Sequence, residues 1–85
     1  MTETFTNNTQ ESRFELKVDA NTAFADYRIE GETLFIDFVK SPEALKGTGA
    51  AGRLMQHIVD FTDEQKLEIE PICGYAAQWL EKHGV

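Results

Sequence analysis

The sequence predicts an α+β fold with α/β three-layer-like packing, in which helices cover a mixed sheet in the order β-β-β-α-β-α. Short segments of alternating apolar and polar residues, separated by turn-forming residues, fill the first half of the chain. A glycine-rich loop then precedes a segment with helical periodicity, and one short strand-like segment and a second helical segment follow. These observations together predict the fold class.

The composition is typical of one globular domain. The chain has 85 residues, of which 41% are hydrophobic, enough for one thin core. No apolar run approaches the roughly 20 residues that a membrane helix needs. The polar residues 1–12 lack the apolar centre of a signal peptide, so we predict a cytoplasmic protein that does not bind membranes. A single cysteine, Cys73, excludes an intrachain disulfide.

Three strands are predicted before the glycine loop. Residues 1–12 are predicted to be a flexible tail, and residues 13–85 a single domain. The first strand covers residues 13–18, where apolar and charged residues alternate strictly. The second covers residues 23–30, and the third, which is apolar on both faces, covers residues 33–39. We expect an antiparallel meander.

Two helices and one more strand are predicted after the loop. The first helix covers about residues 49–66 and has one apolar side. Residues 67–70 form a short strand that returns parallel to the third strand. The last helix covers residues 74–83, and its stripe is expected to pack in the core; the stripe comprises Ala76, Trp79, Leu80 and His83. His57, on the first helix, is expected at the surface.

The loop of residues 46–52 is predicted to bind an anion. Backbone N–H groups at a helix start lack intrahelical partners and carry partial positive charge, so phosphates bind there. Around this loop Lys40, Lys46 and Arg53 outnumber the single acid Glu43, whereas the whole chain has a net charge of −7. The acidic balance argues against nucleic-acid binding. The local basic segment favours the pyrophosphate of a nucleotide cofactor.

One interpretation of the loop is a dinucleotide site. Residues 47–52 spell G-x-G-x-x-G, and Glu70 lies where an acid for an NAD ribose is sought. That fingerprint requires a buried parallel strand directly before the first glycine, but residues 40–46, including Pro42, intervene. The chain also has too few elements for a doubly wound sheet. A dinucleotide-binding protein is therefore the least favoured alternative.

The segment Leu45-Lys46-Gly47-Thr48-Gly49-Ala50-Ala51-Gly52 resembles the cofactor loop of the GCN5-related N-acetyltransferases. That loop reads Arg/Gln-x-x-Gly-x-Gly/Ala, with Lys46, Gly49 and Ala51 at the matching positions. The chain is also similar to the short YjdJ-like subfamily in Phe14-Glu15-Leu16, in Tyr27-Arg28 and in Pro71-Ile72-Cys73-x-Tyr75.

The resemblance implies a minimal N-acetyltransferase that binds acetyl-CoA or coenzyme A and transfers acetyl to an unidentified amine. The cofactor-binding residues that it implies are the strand positions Phe38 and Val39, at a bulge, and the loop residues Lys46, Gly47, Thr48, Gly49, Ala50, Ala51, Gly52 and Arg53. Members of the subfamily often carry a histidine before the loop. Phe38, Val39, Lys40 and Ser41 occupy that region here, so no catalytic histidine is carried over.

Cys73 is the candidate catalytic residue, as a nucleophile or as an acid. It lies at the start of the last helix, where the pKa of a thiol is lowered, and the alternative is a buried cysteine that acts as a small hydrophobe. Tyr75 is either a proton donor to the CoA sulfur or a packing residue. Glu68 and Glu70 are either a general base or a solvated face.

Two function classes stay open, an N-acetyltransferase and a non-catalytic acyl-CoA-binding module. No metal site is predicted. The expected partners are acetyl-CoA and an amine, and the chain is expected to be a monomer or a weak homodimer formed through a free sheet edge.

Overall fold

A computed structural model describes residues 2–84 and has a five-stranded mixed sheet with two α-helices. The elements are β1 (Glu3–Asn8), β2 (Arg13–Val18), β3 (Asn21–Glu30), β4 (Thr33–Lys40), α1 (Ala50–Gln65), β5 (Glu68–Pro71) and α2 (Gly74–Lys82). The strands lie in chain order; β1 to β4 are antiparallel, and β5 is parallel to β4. The predicted α+β class, the meander and the parallel return are confirmed.

The prediction of a flexible tail is wrong for residues 3–8, which form β1. This strand pairs with β2 along its whole length, from Glu3 opposite Val18 to Asn8 opposite Arg13. Its only apolar side chain is Phe5, so the segment lacks the alternating pattern by which strands are predicted. Met1 and Val85, which the predicted boundaries include, lie outside the described residues.

Long-range contacts hold β1 in place. The Phe5 ring stacks on His57 of α1 at 4.6 Å between centroids, which leaves His57 half-buried rather than on the open surface. The Tyr27 hydroxyl donates to Asn7 Oδ1 at 2.7 Å, and Glu3 forms an ion pair with Arg53. Because the two residues of each contact are distant in sequence, local sequence patterns do not predict these contacts.

Both helices pack on one face of the sheet and share one core with it. The buried apolar side chains of this core, from that face of the sheet and from the two helices, are Phe14, Leu16, Val18, Ala23, Ala25, Tyr27, Leu34, Ile36, Ala50, Leu54, Met55, Ile58, Val59, Ala76 and Leu80. On the other face, Arg13 lies over the ring of Phe24 and Arg28 over that of Phe35. None of the helices within residues 2–84 is long and apolar enough to cross a bilayer.

An extra residue interrupts the pairing of β4. Asp26 of β3 is opposite Phe38, but the next residue, Tyr27, is opposite Ile36, so Asp37 forms a bulge. This bulge directly precedes Phe38, in the strand where the resemblance implies one. Pairing between β4 and β5 ends at Ile36 and Pro71, although β4 continues to Lys40. The last four residues of β4 therefore part from β5, next to the glycine loop.

Candidate functional site

The glycine loop turns twice through the left-handed region of backbone conformation. Gly47 and Gly49 both have φ of 81°, and Gly49 is the N-cap of α1. L side chains rarely adopt this conformation, so glycine is strongly favoured at both positions. No atom lies within 4 Å of the place where a Cβ at Gly47 would be, so the loop backbone is open there.

Four loop amides have no hydrogen-bond acceptor among residues 2–84. They belong to Gly47, Gly49, Ala51 and Gly52. Three of these residues lie within the first turn of α1 or at its cap, where the helix dipole adds partial positive charge. The loop therefore has the donors that an oxyanion needs.

Thr48 shapes the loop from within. Its amide and its hydroxyl both donate to the Leu45 carbonyl, at 3.2 and 2.5 Å, and the hydroxyl accepts from the Ala50 amide at 3.3 Å. The predicted site residues Thr48 and Ala50 therefore use their polar groups to hold the loop conformation.

A cavity of about 250 Å³ lies against the loop. Its lining joins the loop to the end of β4 and the start of α2 and consists of Ser41, Leu45, Lys46, Gly47, Gly49, Ala50, Ala51, Gly52 and Tyr75. The Ser41 hydroxyl oxygen is buried and has no hydrogen-bond partner in the described part of the chain. Burying a hydroxyl without a hydrogen-bond partner costs free energy.

Lys46 and Arg53, the two cations predicted to bind phosphate, lie in different surroundings. Lys46 lines the cavity, and its side chain is 66% exposed with Nζ 3.2 Å from Glu43. Arg53 instead donates to Glu3 Oε1 at 2.8 Å and to the Thr48 carbonyl at 2.7 Å, outside this cavity. Arg53 therefore ties β1 to the loop.

Gly52 has a packing role in addition to its place in the loop. A Cβ at Gly52 would lie 3.3 Å from Nε1 of Trp79, so the small residue lets α2 approach α1 closely. The predicted stripe on α2 is only partly core: Ala76 and Leu80 are buried, but Trp79 is half-buried and His83 is exposed.

Cys73 and Tyr75 lie together at the start of α2. Cys73 is the N-cap residue and is half-buried against the core, and its amide donates to the Ile36 carbonyl at 3.0 Å. Tyr75 is 42% exposed and lines the cavity rather than packing inside. Burial raises the pKa of Tyr75 above its usual value, and the charge of Cys73 raises it further.

The remaining predicted site residues lie on β4, where it parts from β5, and on β5 itself. Phe38 is 48% exposed on the face opposite the helices, and Val39 is half-buried against the core. Glu68 and Glu70 are exposed, as expected for a solvated face. Sequence reasoning missed Ser41, because a serine before a proline is ordinary turn chemistry and only its buried surroundings single it out.

Comparisons with known proteins match the chain to a family model and to a solved structure. Residues 13–85 match the family model described as GCN5-related N-acetyltransferase. The chain is similar to a GCN5-like protein of Staphylococcus aureus, solved by NMR in solution, with a TM-score of 0.74 and 26% identity over 94% of this chain and 79% of that one. No curated protein matches the chain. The YjdJ-like subfamily stays a prediction.

Proposed function

Since this chain belongs to the GCN5-related N-acetyltransferases, we propose that its loop cavity binds the pyrophosphate of acetyl-CoA and that it transfers acetyl to an amine. One observation carries the proposal. Four unpaired loop amides and the buried, unpartnered hydroxyl of Ser41 belong to one cavity. A diphosphate offers the acceptor oxygens that such a set of donors lacks.

Electrostatics also supports the assignment. The chain has a net charge of −7, so an anion meets repulsion over most of its surface. At the cavity Lys46 is the exposed cation, and the dipole of α1 adds to its field. The residues that would hold the pyrophosphate are therefore Lys46, Gly47, Gly49, Ala51 and Gly52, with Ser41 beside them.

Acetyl transfer also requires an acid for the departing thiolate and contacts that hold the acyl arm. Acetyl-CoA, when bound, supplies the thioester that the amine attacks. Tyr75, at the start of α2, has a raised pKa and so keeps its proton at neutral pH, and it is proposed to donate that proton to the departing thiolate. The backbone of Phe38 and Val39, beyond the bulge and without a β5 neighbour, is proposed to supply main-chain contacts to the acyl arm.

A non-catalytic acyl-CoA-binding module is the second candidate. The observation that favours it is the absence of a histidine from residues 38–41, the region before the loop where members of the resembling subfamily often carry one. Without that imidazole, the acceptor amine must lose its proton to another base or to solvent.

Binding and turnover separate these candidates. In thermal denaturation, acetyl-CoA and CoA should raise the melting temperature, whereas NAD should not. Release of free thiol from acetyl-CoA in the presence of a panel of amines then separates a transferase from a binding module. Stabilisation by NAD alone would contradict the pyrophosphate assignment to CoA, and CoA binding without amine-dependent thiol release would favour the module.

Ser41→Ala tests the cavity assignment through two effects of opposite sign. Because the hydroxyl is buried without a partner, its removal should leave the melting temperature of the free protein unchanged or higher. Affinity for CoA should fall by about fivefold, on the order of 1 kcal/mol for one hydrogen bond. Differential scanning fluorimetry and titration calorimetry measure the two effects. The exposed Ser12 provides the matched control variant, S12A. A lower melting temperature with unchanged affinity would contradict the proposal.

Tyr75→Phe should lower kcat by about 10- to 100-fold and leave CoA affinity within about twofold, since it removes only the proton donor. In the wild type, burial raises the pKa of Tyr75, so kcat should fall only at strongly alkaline pH, where this acid loses its proton. The variant should lack that alkaline limb.

Cys73→Ala is the comparison: an acetyl-cysteine intermediate predicts complete loss of turnover, whereas direct attack by the amine predicts that most turnover remains.

A further inference from the structure

The two edges of the sheet, β1 and β5, differ in how well they are protected against pairing with another chain. β5 has four residues, of which two are glutamates and one is Pro71, which cannot donate to a further strand. β1 has six residues and contains neither proline nor lysine, the residues that commonly block an edge. Its one charged residue, Glu3, is already paired with Arg53. β1 is therefore the edge that is open to another strand.

The backbone groups of β1 bond to β2 at every second residue and point away from the sheet at the others, as in any antiparallel pair. Just before the strand, the Thr2 carbonyl accepts from the Asp19 amide at 2.9 Å, so the even-numbered residues of β1 are those that bond to β2. Glu3, Phe5 and Asn7 therefore turn their N–H and C=O groups outwards. None of these groups has a hydrogen-bond partner among residues 2–84.

The outward groups of β1 are complementary to those of a second β1. A two-fold axis at Phe5 places this residue opposite the partner's Phe5 and places Glu3 opposite the partner's Asn7. Each such pair exchanges two main-chain hydrogen bonds, so every outward group finds a partner. A shift of two residues in either direction would instead leave Glu3 or Asn7 opposite a residue outside the strand.

The side chains favour the same register. Thr4 lies opposite the partner's Thr6, and Thr–Thr pairs are favourable across antiparallel strands. The Phe5 ring, half-buried where it stacks on His57, lies next to the partner's Phe5 ring. Glu3 is opposite the uncharged Asn7, so no like charges oppose each other although each chain has a net charge of −7. The charge pattern of the strand is therefore compatible with a second copy.

We propose that two copies of this chain pair through β1, antiparallel and centred on Phe5, so that one sheet continues across both. The contact covers one short strand, so the dimer is weak and its population depends on protein concentration. Because Arg53 joins Glu3 to the Thr48 carbonyl, pairing also supports the strand that is tied to the glycine loop. The inference requires no cofactor and does not depend on the proposed function.

Sedimentation velocity and amide exchange of the full chain test the pairing. Between about 10 µM and about 1 mM, the range of a weak complex, the dimer fraction should rise. The amides of Glu3, Phe5 and Asn7 should exchange more slowly as it rises, because only the dimer bonds them. Those of Thr4 and Thr6 bond to β2 and should be protected at every concentration. This alternation distinguishes pairing at the edge from contact through a face of the sheet.

Charged residues at positions 4 and 6 test the register. The double variant Thr4→Glu/Thr6→Glu opposes carboxylates at two places in the dimer and should raise its dissociation constant at least about fivefold. Thr4→Glu/Thr6→Lys opposes a carboxylate and an ammonium at the same places, so its dissociation constant should be no higher than that of the wild type. Within one chain the second variant also matches Lys17 and Glu15 of β2, so its fold should be retained.

The control is Thr22→Glu/Gln78→Glu. It changes the net charge as much as the double-glutamate variant does, at exposed positions on β3 and α2, and should leave the dissociation constant within about twofold. Thermal denaturation of each dilute variant checks its fold. A chain that stays monomeric up to about 1 mM overturns the inference. So does a dimer in which the outward amides exchange as fast as in the monomer, or one that responds equally to the two charge designs at positions 4 and 6.

Discussion

Phe14→Ala is expected to lower the free energy of unfolding by about 3–5 kcal/mol, the usual cost of truncating a buried phenylalanine. Phe14 is completely buried, and its ring stacks on Tyr27 at 4.3 Å between centroids and meets Phe61 edge-on at 5.3 Å. It also contacts Phe5 at 5.8 Å, so its loss removes part of the surface that holds β1. A domain of this size has about 5–15 kcal/mol in total, so the variant should be close to unfolding.

Urea denaturation followed by circular dichroism measures the effect. Phe24→Ala is the matched control, because Phe24 is half-buried on the face without helices, where Arg13 lies over its ring. Its removal should cost about 1 kcal/mol. Equal costs for the two variants would contradict the assignment of the core to one face of the sheet. In Phe14→Ala, amide exchange should accelerate first in residues 3–8, since β1 depends on that contact.

Lys46→Glu should weaken binding of acetyl-CoA at least about tenfold, which corresponds to about 1.4 kcal/mol. The substitution replaces the exposed cation of the loop cavity by an anion and places it beside Glu43, so attraction to the diphosphate becomes repulsion. Because the side chain is 66% exposed, the fold should be unaffected. Titration calorimetry gives the affinity, and thermal denaturation of the free protein checks the fold.

Lys17→Glu separates local from overall charge. It changes the net charge by the same amount at an exposed position of β2, away from the loop cavity, so affinity should stay within about twofold. The loss for Lys46→Glu should also shrink as salt is raised. If both reversals weaken binding equally, the effect is one of net charge, and Lys46 does not contact the phosphates.

Prediction from the sequence succeeds where the signal is local. The strict alternation in β2, the 3.6-residue period of α1 and the turn residues between strands place these elements to within a few residues. The glycines at positions 47 and 49 likewise mark the loop, because only a few residue types adopt its backbone conformation. The same local signal predicts that the loop binds an anion, and this stays a prediction.

The tertiary structure decides what depends on distant residues. Arg53 is basic and close to the loop in sequence, yet it pairs with Glu3, fifty residues away, and so belongs to the support of β1. The significance of the Ser41 hydroxyl lies in being buried without a partner, which no sequence pattern encodes. The sequence therefore determines most of the elements and the conformation of the glycine loop, since backbone propensities act over a few residues. Packing between distant segments determines the place of β1, and which side chains face the loop cavity and which hold the fold.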